Sequence, residues 1–377
     1  MNRALIACGG TGGHLSPGIA LAQELMSRGW RCQLLISSKK VDTRLVEKYT
    51  DFEYETISGS GLTFRPLGFL RFIRDFVKGY RSCLKKIDLF KPDVVIGFGG
   101  FISAPSLLAG ARKGAKIAIH EANRVPGRAT RLTSRIADRI YLPEGVHLKE
   151  KQSDRVRSAG IPLRSEFNQK EKSAARKSLG LEVDRKTLLV FGGSQGARSL
   201  TDWSIEHANQ LEQGDIQLIC LSGLGYVKER KDAPNGCQAK QLARFLDFSD
   251  DMSTLLSAAD LVVSRAGAGS LAEIARCGAP AVLIPYPFAA DDHQVHNAER
   301  FEEQGGGVRL SDKQLDRLYE TVDRLIADDE QLEIMRDRLR SMDASNSRAE
   351  IADDIEALVS NTKSVGLELG NEENALR

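Results

Sequence analysis

Short, continuous apolar runs alternate with helical patterns along the chain. The first runs, Ala4–Cys8 and Gln33–Ser37, flank a predicted helix at Pro17–Arg28. Because polar residues do not alternate with apolar ones inside these runs, they predict parallel strands buried on both faces. Similar runs recur at Val94–Gly97, Lys116–His120, Thr187–Phe191, Gln217–Leu221, Leu261–Ser264 and Ala281–Pro285. This strand–helix alternation predicts an α/β fold with doubly wound parallel sheets.

The alternation restarts halfway along the chain. A strand runs into a glycine-rich turn at Ala7–His14 and again at Phe191–Arg198. Each of these units can open a domain, and the charged segment between them lacks apolar periodicity. We therefore predict two domains, 1–161 and 162–344, which face each other across a cleft that suits a shared substrate. Ala349–Leu358 predicts a further helix, and 362–377 a frayed tail.

Composition and charge narrow the class of protein. The 377 residues carry a net charge of +2, which argues against a generally basic nucleic-acid binder. The six cysteines are scattered and form no CxxC pair or Cys/His cluster, so we expect free thiols in a reducing cytosol and no metal site. No apolar stretch is long enough for a signal-peptide core or a membrane span, which predicts a soluble or peripheral protein.

The first glycine-rich turn, Gly9–Gly13, is a candidate anion site. Ser16 and Pro17 predict a helix that begins just after the glycines, where exposed N–H groups can face an anion. A plain strand-to-helix turn needs one or two glycines, whereas this one has four. The spacing is not G-x-G-x-x-G, and no acid ends the next strand at Ser37-Ser38-Lys39, so a dinucleotide site is not expected. No Walker A motif is present.

His14 ends this turn and is a candidate general base. An imidazole titrates near neutrality, and a helix N-terminus favours its neutral, basic form. The alternative is a histidine that only hydrogen-bonds a phosphate or a carbonyl. The residues alone leave both roles open.

Three further polar segments follow predicted strands. Ser194 and Arg198 in the second glycine turn can hold phosphate oxygens, although a purely structural turn fits as well. Glu273, which we place in the first turn of a helix, either complements the helix dipole or accepts both ribose hydroxyls of a nucleotide. Asp291–Asn297 is dense in groups that bind sugar hydroxyls, and His120–Asn123 lies at a strand end where open α/β sheets bind ligands.

The segment Leu62–Lys86 predicts a basic amphipathic helix. It carries seven basic residues and one acid, and its aromatic and basic residues follow helical spacing on different faces. Such a composition is typical of an interfacial helix, although a core-packed helix with a solvated basic side is equally compatible. The candidate membrane-docking residues are Phe69, Phe72, Phe76, Arg71, Arg74 and Lys78. A second basic series, Arg128 to Arg139, is predicted to lie on one helical face.

Four motifs together resemble a known family. They are Gly10–His14, His120–Asn123, Gly192–Arg198 and Ser264–Ala268, in an ordered match that runs from about residue 3 to about residue 357. They resemble the bacterial peptidoglycan glycosyltransferases that convert lipid I to lipid II. The resemblance implies a GT-B fold with two Rossmann-like domains, the first facing acceptor and membrane, the second binding UDP-GlcNAc. It also implies a C-terminal helix, about 345–361, that packs back on the first domain.

The resemblance implies an inverting transfer of GlcNAc from UDP-GlcNAc to the C4 hydroxyl of the MurNAc sugar of lipid I, at the cytoplasmic face of the inner membrane. Its partners would be these two substrates, the anionic membrane surface and cell-wall synthesis or division proteins, with no nucleic acid, cofactor or metal. His14 matches the glycine-loop histidine, a candidate catalytic base. The implied substrate-binding residues are Thr11, Gly12, Gly13, Asn123, Arg164, Ser194, Gln195, Glu273 and Gln294.

Some positions depart from the family pattern. Ala122 and Phe101 replace a frequent Gln and Tyr, and Thr130 replaces a frequent Asn; His293-Gln294 stands where Gln-Gln can occur. None of these changes removes a group assigned to the donor, but they leave the acceptor side less defined. Two alternative functions remain: a UDP-GlcNAc 2-epimerase, which needs no lipid surface, and a non-catalytic, membrane-associated nucleotide-sugar binder.

Overall fold

The computed structural model describes residues 1–10, 12–57, 66–148, 154–193, 196–223, 226 and 242–360. The chain divides into two compact units. The first comprises Met1–Ala122, Pro126–Arg164 and the described residues from Asn346 onward, and the second comprises Asn123–Val125 and Ser165–Ser345. The border between them follows Arg164, close to the predicted 161/162 junction. One short segment, Asn123–Val125, belongs to the second unit although the first surrounds it in sequence.

A seven-stranded parallel sheet forms the first unit, in the order β3-β2-β1-β4-β5-β6-β7. Its strands are β1 (Arg3–Ala7), β2 (Arg31–Ser37), β3 (Glu53–Ile57), β4 (Val94–Gly97), β5 (Lys116–His120), β6 (Arg139–Leu142) and β7 (Val156–Ser158). Its helices are α1 (Gly12–Ser27), α2 (Lys40–Val46), α3 (Pro66–Phe90), α4 (Gly100–Arg112), α5 (Arg128–Thr133) and a C-terminal helix, 348–360. Alternate residues of β1 pack into the cores on opposite faces of the sheet, as expected for a strand buried on both sides.

The second unit holds a six-stranded parallel sheet in the order β10-β9-β8-β11-β12-β13. Its strands are β8 (Lys186–Phe191), β9 (Ile216–Leu221), β10 (Ala243–Leu246), β11 (Leu261–Ser264), β12 (Ala281–Leu283) and β13 (Gly307–Arg309). Its helices are α6 (Lys172–Ser178), α7 (Arg198–Gln213), α8 (Met252–Ala258), α9 (Ala268–Cys277), α10 (His293–Glu303), α11 (Leu318–Ala327) and α12 (Asp329–Asp343). The prediction of two doubly wound α/β units is confirmed.

Two predicted helix starts are wrong in the same direction. Helix α1 begins at Gly12, so Ser16 is not its N-cap and Pro17 lies inside it. Proline removes only one backbone donor, and the preceding glycines accept helical geometry, so the helix extends back through them. Helix α9 begins at Ala268 after the N-cap Gly267, which puts Glu273 in the second turn rather than the first. In both cases small residues that read as a loop belong to the helix.

The predicted basic face from Arg128 to Arg139 is also wrong. Helix α5 ends at Thr133, a 3-10 turn follows at Ser134–Ile136, and Arg139 begins strand β6. Arg139 pairs with Asp354 of the C-terminal helix at 2.7 Å. Its charge therefore serves a tertiary contact, which arginine spacing along the chain does not reveal.

The C-terminal helix, 348–360, packs on the first unit. Ile351 and Ile355 join the core that also contains Ile6. The hydroxyl of Tyr141, which is 1% exposed, donates to Asp354 at 2.8 Å. Burial raises the pKa of Tyr141, as does its hydrogen bond to Asp354, so the phenol remains a neutral donor.

We expect Asp354→Ala to destabilise the protein, because it leaves the buried Tyr141 hydroxyl without its acceptor and removes the carboxylate of the Arg139 ion pair. The cost should be about 2–4 kcal/mol, or a melting temperature lower by roughly 5–10 °C. The neighbouring Asp353→Ala is the matched control, since Asp353 is 67% exposed and pairs with Arg28 at the surface. That change should cost less than about 1 kcal/mol. Equal losses of melting temperature would show that the Asp354 contacts add nothing.

Candidate active site

Strand order reverses between β1 and β4 in the first unit. Ligands of open α/β sheets bind at such a point, outside the carboxyl ends of the strands. The glycine loop follows β1 with Gly9 and Gly10, and α1 begins at Gly12. The turn that leaves β4 leads into α4 at Gly100. Two helix N-termini, each with unsatisfied N–H groups, therefore begin at the same edge of the sheet and favour an anion there.

His14 lies in the first turn of α1, beside the turn after β4. A Cβ at Gly99 would stand 3.1 Å from the Nε2 of His14, and one at Gly100 would stand 3.4 Å from its Nδ1. Both glycines have positive φ, 92° and 75°, which a side chain would strain as well as crowd. The imidazole is half-buried against this glycine pair. A histidine held in this way at the reversal point can exchange a proton with a ligand bound there.

The other predicted residues of the glycine loop have different positions. Gly12 is the first residue of α1, and Gly13 follows it in the first turn and is exposed. Their N–H groups belong to the unsatisfied set at the helix start. Thr11 lies outside the described residues.

His120 and Glu121, which the sequence placed at a ligand-binding strand end, have structural partners instead. His120 is 1% exposed, and its Nε2 lies 2.9 Å from the Gly160 carbonyl oxygen. Burial lowers the pKa of His120, which favours the neutral ring. The Oε2 of Glu121 accepts from the Gly127 N–H and the Thr130 hydroxyl, both at 2.7 Å, and so satisfies the start of α5. Of these two histidines, only His14 remains a candidate base.

Arg164 is the last residue of the Pro126–Arg164 segment of the first unit and is 9% exposed. Its Nη1 donates to the Tyr49 hydroxyl at 3.0 Å. The predicted donor-binding residues Asn123, Glu273 and Gln294 belong to the second unit. The structure therefore does not group Arg164 with them inside one unit. Tyr49, its partner, carries no signal in the sequence.

In the second unit, strand order reverses between β8 and β11. The loop after β8 contains Gly193, and the loop after β11 contains Gly267. A Cβ at either glycine would lie 4.0 or 3.9 Å from the Ser270 hydroxyl, so both loops approach the first turn of α9. This edge repeats the arrangement of the first unit. Ser194 and Gln195, predicted here, lie outside the described residues.

Two polar residues of α10 organise this edge. The Gln294 Oε1 accepts from the N–H groups of Ala266 and Tyr286, at 3.2 and 2.9 Å, and so ties the loops after β11 and β12 together. Asn297, 3% exposed, lies one turn further along. Its Oδ1 accepts from the Arg124 N–H at 3.0 Å, and its Nδ2 donates to Asn123 Oδ1 and the Ala266 carbonyl. The sequence grouped Asn297 with other polar residues but did not reveal that it anchors Asn123.

These contacts bring Asn123, Gln294 and the loop after β11 together. Glu273 lies on α9, which that loop starts, and its negative charge helps to raise the pKa of Cys277 after the larger effect of burial. Arg265 is buried and binds Asp312 at 2.7 Å and the Ser199 hydroxyl at 2.8 Å, so it supports the loop rather than facing a ligand. The arrangement can present amide and carboxylate groups to a sugar nucleotide.

Helix α3 confirms the predicted helix after Pro66 and exposes a mixed surface. Cys83, Ile87 and Phe90 face the core. Leu70, Ile73 and Val77 are exposed, which the sequence did not single out as a set. Phe72 and Phe76 are half-buried with their rings 6.0 Å apart. Arg71 and Arg74 are more than two-thirds exposed and pair with Asp75. The Phe69 side chain lies outside the described residues.

Arg74, Lys78, Arg81 and Lys85 line one groove of about 570 Å³ on this helix, together with Val77 and Ser82. Across the described residues, no helix is long and apolar enough to cross a membrane. In the same part of the chain, no group of three His, Cys, Asp or Glu side chains is placed to hold a metal ion.

Both units match models of one enzyme family. Residues 4–142 match the N-terminal domain of glycosyltransferase family 28, and residues 187–355 match its C-terminal domain. A protein of Opitutus terrae named UDP-N-acetylglucosamine–N-acetylmuramyl-(pentapeptide) pyrophosphoryl-undecaprenol N-acetylglucosamine transferase is 45% identical over 360 residues, or 95% of each chain. A protein of the same name from Desulforamulus reducens is 35% identical and covers 88% of this chain and 92% of its own length.

Solved structures agree with these relatives. The crystal structure of Acinetobacter baumannii MurG has a TM-score of 0.70 and 25% identity, and the match covers 94% of this chain and 99% of that one. The Staphylococcus aureus MnaA–UDP structure, at 14% identity and a TM-score of 0.64, shares the fold alone. The predicted GT-B fold with two Rossmann-like domains is confirmed. The chain belongs to glycosyltransferase family 28, among the UDP-N-acetylglucosamine–N-acetylmuramyl-(pentapeptide) pyrophosphoryl-undecaprenol N-acetylglucosamine transferases.

Proposed function

We propose that this chain transfers GlcNAc from UDP-GlcNAc to the C4 hydroxyl of the MurNAc sugar in lipid I, with inversion, to give lipid II. The observation that carries the proposal is the 45% identity to a transferase of that name over 95% of both chains. The geometry supports it, because helix N-termini, glycine loops and one half-buried histidine lie at sheet edges that suit a diphosphate and a reacting hydroxyl.

In the proposed reaction, the C4 hydroxyl attacks C1 of GlcNAc on the face opposite UDP. The C1–O4 bond forms as the bond from C1 to the β-phosphate oxygen breaks, and UDP departs with the electron pair. His14 takes the hydroxyl proton. N–H groups at the glycine loops and helix starts stabilise the negative charge that grows on the diphosphate, as preorganised dipoles do.

We assign the donor to the second unit and the acceptor to the first. Glu273 would accept hydrogen bonds from the ribose hydroxyls. The other residues that would contact UDP-GlcNAc are Asn123, Gln294, Ser194 and Gln195. Because Gln294 Oε1 already accepts two backbone N–H groups, its Nε2 is the atom left to contact the donor. In the first unit, the N–H groups of Gly12 and Gly13 would hold a diphosphate, with Thr11. Arg164 would be a substrate-binding residue of the first unit.

UDP-GlcNAc that carries a label in its GlcNAc sugar gives the simplest test of this function. With a lipid I analogue, the label should move to the lipid fraction; without it, the donor should remain unchanged. Conversion of the donor alone to UDP-ManNAc would identify a 2-epimerase instead. Binding of the donor with no change in either arm would identify a non-catalytic binder.

We further propose that α3 docks the enzyme on the anionic inner surface of the cell membrane, where lipid I would lie. Leu70, Ile73 and Val77 supply exposed apolar groups beside the basic groove. Each basic residue near an anionic leaflet contributes about 1 kcal/mol. Cell-wall synthesis or division proteins are the partners expected at that surface.

Charge reversal tests the docking surface. The triple variant Arg71→Glu, Arg74→Glu, Lys78→Glu should lose binding to vesicles that contain phosphatidylglycerol by at least about 100-fold, because three attractions become repulsions. A matched triple reversal at the exposed residues Lys177, Lys313 and Arg317 of the second unit should bind nearly as the wild type does. If co-sedimentation finds the first triple variant bound as tightly as the second, docking through α3 is refuted.

A further inference from the structure

Residues that have no role in the proposed reaction hold the glycine loop in place. Gly10 has a φ of 111°, which only glycine adopts without strain. Its N–H donates to the Oδ2 of Asp42 at 2.7 Å, and its carbonyl accepts from the Lys39 ammonium at 2.7 Å. Both polar groups of one loop residue are therefore bound by side chains at the start of α2, from its N-cap Lys39 and from Asp42 in its first turn.

The buried position of Asp42 disfavours the folded state. Asp42 is 0% exposed, its Oδ2 accepts from both Gly10 and the Ser37 hydroxyl, and its Oδ1 has no hydrogen-bond partner among the residues that the structure describes. A buried polar atom without a partner disfavours the folded state. The negative charge of Asp42 also acts on the neighbouring Cys8 thiol, whose pKa is raised first by burial and then by this carboxylate. A buried acid in this position is a poor choice for stability alone.

Steric contacts enclose Gly9, the loop residue before Gly10. A Cβ at Gly9 would stand 2.3 Å from the Ser37 N, and a Cβ at Gly100 would stand 2.6 Å from the Gly9 carbonyl oxygen. Gly9 is therefore enclosed between the end of β2 and the start of α4. Gly9 and Gly10 are therefore both held by the protein itself, with no ligand needed.

We propose that Lys39 and Asp42 form a brace that fixes Gly10 and thereby presents the first turn of α1, including His14, to a diphosphate-bearing substrate. Asp42 is a positioning residue, since it acts through the loop and touches no substrate. The brace also commits the Gly10 N–H to Asp42, so this donor is not available to a ligand. This inference rests on the proposed function only for its effect on turnover.

Removing the brace should reduce turnover more than stability. Asp42→Ala should lower kcat by about 100-fold, since a displacement of about 1 Å in a reacting group has effects of that size. Asp42→Asn keeps the shape and one acceptor oxygen but loses the negative charge that strengthens the hydrogen bond from Gly10, so it should lower kcat by about 10-fold. Ser37→Ala is the matched control, because it removes the other hydrogen bond to the same carboxylate, and a 3.3 Å bond from the Lys39 backbone N–H, while both side-chain contacts to Gly10 stay. It should change kcat less than about threefold, with a loss of melting temperature similar to that of Asp42→Asn.

The side chains of Lys39 and Asp42 both bind Gly10, and the Asp42 N–H donates to the Lys39 carbonyl at 3.0 Å, so the effects of changing them should not be independent. The double variant Lys39→Met, Asp42→Asn should lower kcat by clearly less than the product of the two single effects. If Ser37→Ala lowers kcat as much as Asp42→Asn, or the double variant is strictly multiplicative, the brace is refuted. Should Asp42→Ala fail to fold, Asp42→Asn and Lys39→Met decide the matter alone.

Hydrogen exchange gives a readout that needs no activity. The Gly10 amide should exchange at least about 10-fold faster in Asp42→Asn than in the wild type, and only slightly faster in Ser37→Ala. An unchanged Gly10 rate in Asp42→Asn overturns the brace even if the wild type makes lipid II. If the Gly10 amide exchanges faster in Asp42→Asn but the wild type transfers no sugar, the brace is upheld and the proposed function is refuted.

Discussion

Replacing His14 with alanine is expected to lower kcat for GlcNAc transfer by about 10²–10⁴-fold, the range that a positioned general base contributes. The dissociation constant for UDP-GlcNAc should change by less than about threefold, since His14 lies in the first unit and we assign the donor to the second. The imidazole lies against Gly99 and Gly100, at the sheet edge where the strand order reverses between β1 and β4. Without it, the attacking hydroxyl must lose its proton to water.

The control for His14→Ala is His147→Ala, a change of an exposed histidine in the same unit. It should leave both kcat and donor affinity at wild-type values. Single-turnover kinetics with titrated donor separates the two quantities. If His14→Ala weakens donor binding as strongly as it lowers kcat, His14 is a binding residue and the base lies elsewhere.

Replacing Glu273 with alanine should weaken UDP-GlcNAc binding by at least about 100-fold. A hydrogen bond to a charged acceptor contributes about 1.5–3 kcal/mol, and the proposal gives Glu273 two ribose hydroxyls. The effect should appear in the donor KM, while the KM for the acceptor stays the same. Glu206→Ala, an exposed acid on α7 of the same unit, should bind the donor as the wild type does.

A deoxy donor makes this test specific to the ribose. The wild type should bind UDP-GlcNAc much more tightly than its 2′-deoxyribose analogue, and Glu273→Ala should bind the two alike. Calorimetric titration of both ligands against both proteins measures this. A preference that survives in Glu273→Ala would show that another group reads the ribose.

Much of the fold was predictable because its signals are local. Continuous apolar runs identified eight of the thirteen strands in the described residues, and the repeated strand–glycine–helix pattern gave two units. The strands β3, β6, β7, β10 and β13 were not predicted. Errors arose where small residues permit either loop or helix: Gly12 and Ala268 begin helices earlier than Pro17 and Glu273 suggested. Local propensity does not decide such starts, because the packing of the helix on the sheet does. A Cβ on Gly18 would lie 2.3 Å from that of Cys8, which shows how closely α1 packs on its strand.

The site was predictable to the extent that motifs carry it. The glycine loop, His14, Gln294 and Asn123 stand at the sheet edges where ligands of such folds bind. Contacts between distant segments were not predictable. Examples are the hydrogen bonds of Asn297 to Asn123 and of Gly10 to Asp42, which join residues 174 and 32 positions apart. Pairing of this kind is decided by tertiary packing, which no spacing along the chain records.

The central claim is an inverting transfer to lipid I, and the structure of the product tests it most directly. The wild-type protein is incubated with UDP-GlcNAc carrying ¹³C at C1 and with a lipid I analogue, and the product is examined by NMR. We expect a β-linked GlcNAc joined to C4 of MurNAc, formed in equal amount with UDP. UDP release without a disaccharide, or an α linkage, would contradict it.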